Sequence, residues 1–153
     1  ILERFGLSEQ CLMLEITESA IMHDPERSLD TLTKLDQMGV GLSVDDFGTG
    51  YSSLSYLKRL PVQQLKIDRS FVSDMIDDQD DTMIVRSTID LAHNLGLNTV
   101  AEGVETEETL EALHAMGCDL AQGYLISRPL SHDDLLSYLT AGEWSVESNS
   151  ATE

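Results

Sequence analysis

Acidic and polar groups recur in this chain in a way that suggests one site. They are Glu15-Ile16-Thr17-Glu18, Asp45-Asp46 followed by Phe47-Gly48-Thr49-Gly50, Lys66 with Asp68, Glu102-Gly103-Val104-Glu105, and Gln122-Gly123-Tyr124. Two carboxylates ~4 Å apart repel by about 4 kcal/mol at an effective dielectric near 20. If Asp45, Asp46, Glu15 and Glu102 converge, the crowding is relieved by a raised pKa or by a bound cation. Hard carboxylate oxygens select Mg²⁺, Mn²⁺ or Ca²⁺. A carboxylate bridging two ions ~3.5–4 Å apart suits in-line displacement at phosphorus. Lys66, inside the apolar run Leu65-Lys66-Ile67, offsets the acids and could hold an attacking water or a phosphate oxygen. Glu102 could take a proton from that water or ligate a metal, and Gln122 can donate to and accept from a ligand edge. The competing assignments are ordinary ones: Asp45-Asp46 as a helix cap, Lys66 facing solvent, and Gly48-Thr49-Gly50 as a plain loop or a backbone phosphate cradle.

Adjacent residues of a strand point to opposite faces. Asp45 and Asp46 therefore share a site only where the strand breaks, and Gly48 and Gly50 are the residues expected to break it. His23, His93, His114 and His132 lack metal-ligand spacing and read as surface residues. No Ser/His/Asp or Cys/His set, zinc pattern or Walker loop is present.

The elements that must carry these groups alternate strand with helix. Residues 11–17, 40–45, 63–68, 97–102 and 119–124 read as strands. A helix starts at Asp24-Pro25, shows Leu29, Leu32, Leu35 and Met38 on one face and ends at Gly39. Leu54, Leu57 and Leu60 mark a second helix stopped by Pro61. Residues 81–95 and 106–116 follow as helices, and Ser131 with Asp134 caps a last one ending near Gly142. Residues 1–6 look like a final helical turn closed by Gly6. Residues 1–142 form the folded part, and 143–153 are expected to be a polar, disordered tail. Parallel pairing follows from the alternation. An open doubly wound sheet and part of a barrel both fit, but an open sheet gathers its ligand groups at one switch point. Functional groups on five successive strand ends favour the mouth of a barrel.

With 28 acidic against 9 basic residues the formal net charge is −19. Such a surface repels nucleic-acid polymers and anionic membranes, so a site that handles phosphate needs local positive charge, most simply a metal. The two cysteines, Cys11 and Cys118, are far apart and read as buried or semi-buried thiols of a reducing compartment.

The sets above, LEITE, DDFGTGYSSL, LKID, AEGVE and QGY, stand in the order and spacing of EAL domains, which the chain resembles from Leu12 to Leu139. The resemblance implies an α/β (β/α)₈ TIM-barrel-like fold, of which about five βα units are present here. It implies hydrolysis of the bacterial second messenger cyclic di-GMP to linear pGpG with two Mg²⁺ or Mn²⁺ ions, Ca²⁺ being inhibitory. By that resemblance Glu15 and Asp45 ligate one metal, and Asp45 and Asp46 the other. Glu102 serves the second metal or acts as base, Lys66 positions the water, Glu105 supports a metal through water, and Gln122 contacts substrate. Glu18 braces the 46–53 loop, with Gly48, Thr49 and Gly50, and that loop region carries a homodimer contact. A sensory or GGDEF domain upstream and a cytoplasmic location also follow. The Glu-Ala-Leu signature, its arginine and a metal-ligating asparagine belong to strands that would precede residue 1. Residues 1–153 alone are therefore expected to have little or no activity, their parent being active. The alternative is an inactive EAL-like module that binds cyclic di-GMP or a protein partner.

Overall fold

The computed structural model describes residues 2–50 and 54–141. Five strands, β1 (Met13–Thr17), β2 (Gly41–Phe47), β3 (Gln64–Ile67), β4 (Asn98–Glu102) and β5 (Leu120–Gln122), form one sheet. All neighbours are parallel, in the order β1-β2-β3-β4-β5. The order never reverses, so there is no switch point of the doubly wound kind. The sheet is an arc of a singly wound barrel. Around it run α1 (Glu18–His23), α2 (Pro25–Gln37), α3 (Leu54–Leu57), α4 (Arg69–Asp74), α5 (Gln79–Asn94), α6 (Glu107–Ala115) and α7 (His132–Ala141).

Strand parity divides the sheet chemically. Leu42, Val44, Leu65, Ile67 and Ala101 are buried in a cluster with Ile21, Leu32, Val72, Val85, Ile89 and Leu113 of the helices. Burying each large aliphatic side chain contributes about 1.5–3 kcal/mol. The residues of opposite parity include Glu15, Ser43, Asp45, Gln64, Lys66, Glu102 and Gln122, with Val100 and Leu120 as the apolar floor beside them. One face thus builds the core and the other delivers polar groups.

Caps explain where the helices begin. Asp24 accepts from the Arg27 N–H with Pro25 at the first helical position, and Thr106 accepts from the Thr109 N–H. Ser131 Oγ accepts from Asp134 N–H and donates to its carboxylate at 2.6 Å. At the end of the strands opposite the polar mouth, Asp119 Oδ2 accepts from Thr99 N (2.7 Å) and Thr99 Oγ1 (2.8 Å) and meets His93 Nε2 at 2.9 Å. Burial works against the Asp119 charge, but these bonds outweigh it and hold its carboxyl below the usual range.

The structure corrects several sequence expectations. Strand 1 starts at Met13 because residues Glu9–Cys11 form a 3₁₀ turn capped by Ser8. The opening residues likewise hold a 3₁₀ turn, Glu3–Phe5, closed by Gly6 at φ 65°. Cys11 is exposed rather than buried. Leu60 lies beyond α3, which ends at Leu57. All four histidines are on the surface, with His93 engaged by Asp119. The expected tail, 143–153, lies outside the described residues, and no described helix is long and apolar enough to cross a membrane.

Candidate active site and metal centre

Asp45 and Asp46 reach one site through a bulge, not through the glycines that follow. Val44 pairs with Leu65 and Phe47 with Ile67, so β2 spends one residue more than β3 over this interval. The extra residue is Asp46, the single non-glycine residue with positive φ among the described residues, at 54°. Both aspartates belong to β2, and neither is the cap of a described helix.

Lys66 is the hub. Its side chain is only 5% exposed, and its Nζ lies 2.7 Å from Glu102 Oε1, 2.8 Å from Glu15 Oε2 and 3.0 Å from Asp45 Oδ1. The expectation that it points to the barrel side among carboxylates holds. Burial alone would lower its pKa. The surrounding carboxylates of Glu102, Glu15 and Asp45 reverse that and raise it above the ordinary lysine value, so the ammonium is a fixed positive charge. Asp45 Oδ1 is buried and in ion-pairing range of Nζ, yet it makes no hydrogen bond.

One ligand atom from each of Asp45, Asp46 and Glu102 falls within 4.8 Å of the others. Burial, together with the charges of Asp45 and Asp68, pushes the Asp46 carboxyl above its ordinary value. This donor set of hard oxygens, with an unsatisfied buried Asp45 Oδ1, fits a divalent cation. Glu15 is exposed and joins the group through Lys66. Glu105 does not lie in that carboxylate triad. Its Oε1 accepts from Arg69 Nη2 at 2.8 Å. Gln122 is exposed and lines the mouth on both sides, with Glu15, Gln64 and Lys66 in one pocket and with Arg69, Glu102 and Glu105 in another.

The loop after β2 is clamped from two sides. Glu18, buried in the first turn of α1, accepts the Gly48 N–H through Oε2 at 2.9 Å. That amide is therefore committed to a protein carboxylate and is not part of a phosphate cradle. Asp46 O accepts from Thr49 Oγ1 at 2.9 Å. A Cβ at Gly50 would lie 2.7 Å from Glu18 Oε1, and one at Gly48 would lie 3.0 Å from the Phe71 ring of α4. Residues 51–53 lie outside the described residues. Replacing Glu18 with alanine should cost about 1.5–3 kcal/mol, the worth of a hydrogen bond to a charged group. Chemical denaturation and faster hydrogen exchange at the Gly48 amide check this; an unchanged exchange rate would mean that the clamp does not hold the loop.

Sequence reading missed Asp68 as a neighbour whose charge helps to raise the Asp46 carboxyl. It also missed the Arg69–Glu105 pair. Asp68 was visible at a strand end; nothing local marked the partner of Arg69.

Residues 1–129 match the EAL domain family. The chain is 51% identical over 134 residues to the bifunctional diguanylate cyclase/cyclic di-GMP phosphodiesterase MucR of Pseudomonas aeruginosa, covering 88% of this chain and 20% of MucR. The solved PaMucR phosphodiesterase complex with c-di-GMP aligns at a TM-score of 0.85 and 51% identity, covering 88% of this chain and 54% of that one. A Klebsiella pneumoniae BlrP1 complex with manganese and cy-diGMP aligns at 0.78 and 37% identity, covering 84% of this chain and 33% of that one. The chain belongs to the EAL domain family. Its five parallel strands are a partial (β/α)₈-type barrel, and it spans about a fifth of the length of curated relatives such as MucR.

Proposed function

We propose that the protein carrying this chain hydrolyses cyclic di-GMP to linear pGpG by in-line attack of water, assisted by two Mg²⁺ or Mn²⁺ ions. The observation that carries the reading is the convergence of Asp45, Asp46 and Glu102 at the strand ends of an EAL barrel, with Lys66 fixed between Glu15, Asp45 and Glu102. When bound, the cations lower the pKa of a shared water and neutralise charge building on the phosphate.

Glu15, Asp45, Asp46 and Glu102 would hold these ions, with Asp45 shared between them. Lys66 keeps its proton, so its part is to orient the water or a phosphate oxygen by donating hydrogen bonds. Glu102 is the acceptor for the water's proton. Glu105 supports a metal through water, and Gln122, at the rim, meets the substrate. Glu18 keeps the 46–50 stretch, and hence Asp46, in place. The same loop, through residue 53, carries a homodimer contact. An upstream GGDEF or sensory domain and a cytoplasmic location complete the proposal, since the substrate is an intracellular messenger.

The test is incubation of the whole protein with cyclic di-GMP and Mn²⁺, with chromatographic detection of pGpG. Ca²⁺ takes more ligands at longer distances, so substituting it should preserve nucleotide binding and abolish turnover. Binding without turnover in Mn²⁺ and Mg²⁺ as well would replace the phosphodiesterase by a sensor.

A further inference from the structure

We propose that Arg69 is a positioning residue that holds Glu105 beside Glu102, and that the Gly103 backbone is the channel through which it does so. The proposal rests on the phosphodiesterase reading of the mouth. Arg69 opens α4 directly after β3, and Glu105 follows β4. The Arg69 guanidinium bridges the two loops, donating from Nη2 to Glu105 Oε1 at 2.8 Å.

Its aliphatic stem lies across Gly103. A Cβ there would sit 2.2 Å from Arg69 Cγ and 2.8 Å from Cδ, and Gly103 has φ +72°. A side chain at 103 would therefore both strain the backbone and evict the arginine. Among the described residues, Arg69 is the one cation lining the pocket it shares with Glu102, Gly103, Glu105, Gln122 and Tyr124. Without it, the negative charge of Glu102 would drive the Glu105 carboxylate outward. The preceding residue, Asp68, accepts from the Ser70 N–H at 2.9 Å and so fixes the start of the helix that carries Arg69.

Arg69 and Glu105 side chains are 60% and 46% exposed, and ion pairs this open add little to folding. The value of the pair is orientation, and groups that orient a metal's surroundings typically cost 10–100-fold in affinity when removed. The experiment is calorimetric titration of Mn²⁺, without nucleotide, into the whole protein carrying residues 1–153 as wild type, Arg69→Ala, Glu105→Gln and the double variant. Each single change should weaken Mn²⁺ binding roughly 10-fold, the double variant should be no weaker than Glu105→Gln, and the melting temperature should stay put. Unchanged affinity in Arg69→Ala, losses that multiply in the double variant, or a loss that merely follows a fall in melting temperature would overturn the assignment. A wild type that binds Mn²⁺ but yields no pGpG would remove the phosphodiesterase reading, while the double-variant comparison would still decide the role of Arg69.

Discussion

Asp45→Asn in the whole protein is expected to cut cyclic di-GMP turnover by about three orders of magnitude, equivalent to ~4 kcal/mol of barrier. Asp45 belongs both to the carboxylate triad with Asp46 and Glu102 and to the Lys66 cluster, with Nζ 3.0 Å from its Oδ1. The amide keeps the shape of the side chain but loses the charge and half of the oxygen donors, so cation affinity falls with turnover. Folding should survive, because removing one of several crowded negative charges relieves repulsion. Product formation, Mn²⁺ titration and thermal melting measure the three quantities. Retained activity with a normal Mn²⁺ requirement would remove Asp45 from the site.

Lys66→Met separates charge balance from chemistry. Without metal the variant leaves Glu15, Asp45 and Glu102 facing one another, and breaking a buried ion cluster typically costs about 3–5 kcal/mol. Those acids are partly exposed, which puts the expectation at the lower end. Mn²⁺ at about 100 times its Kd returns ~2.7 kcal/mol by mass action, so the melting temperature should become strongly metal-dependent. Cation affinity should hold or rise, since the ammonium contacts Asp45 and Glu102 in competition with any bound cation. Turnover should stay about 100-fold down at saturating metal, because no donor orients the water or phosphate. If instead turnover were normal at saturating Mn²⁺, Lys66 would be a structural counter-charge only.

The alternation of strands with helices was readable because long apolar-periodic segments and glycine stops mark it, as at Leu29, Leu32, Leu35 and Gly39. The choice of barrel over open sheet was also readable, from acids spread over successive strand ends, and the unreversed strand order agrees with it. The short helices α1 and α4 were not found. Each has six residues, too few for a period to repeat, and their starts look like continuations of strands 1 and 3. That Lys66 faces carboxylates followed from its place in an apolar run. Which residue breaks strand 2 did not, because a bulge is a mismatch between two strands and leaves no mark in either one alone. The pairing of Arg69 with Glu105 was hidden for a similar reason: the partners are 36 positions apart and meet only once β3 and β4 are in register.

The bulge at Asp46 also acts as a phase shift. Upstream of it Leu42 and Val44 address the helices; downstream, Phe47 does so again, 6% exposed, although plain alternation from Val44 would have sent it to the mouth. Deleting Asp46 would equalise the intervals on β2 and β3, so Phe47 would stay opposite Ile67 and in the core while the mouth lost one of its three clustered carboxylates. The inserted residue therefore lets a single strand end deliver two neighbouring carboxylates without surrendering the aromatic plug that follows them.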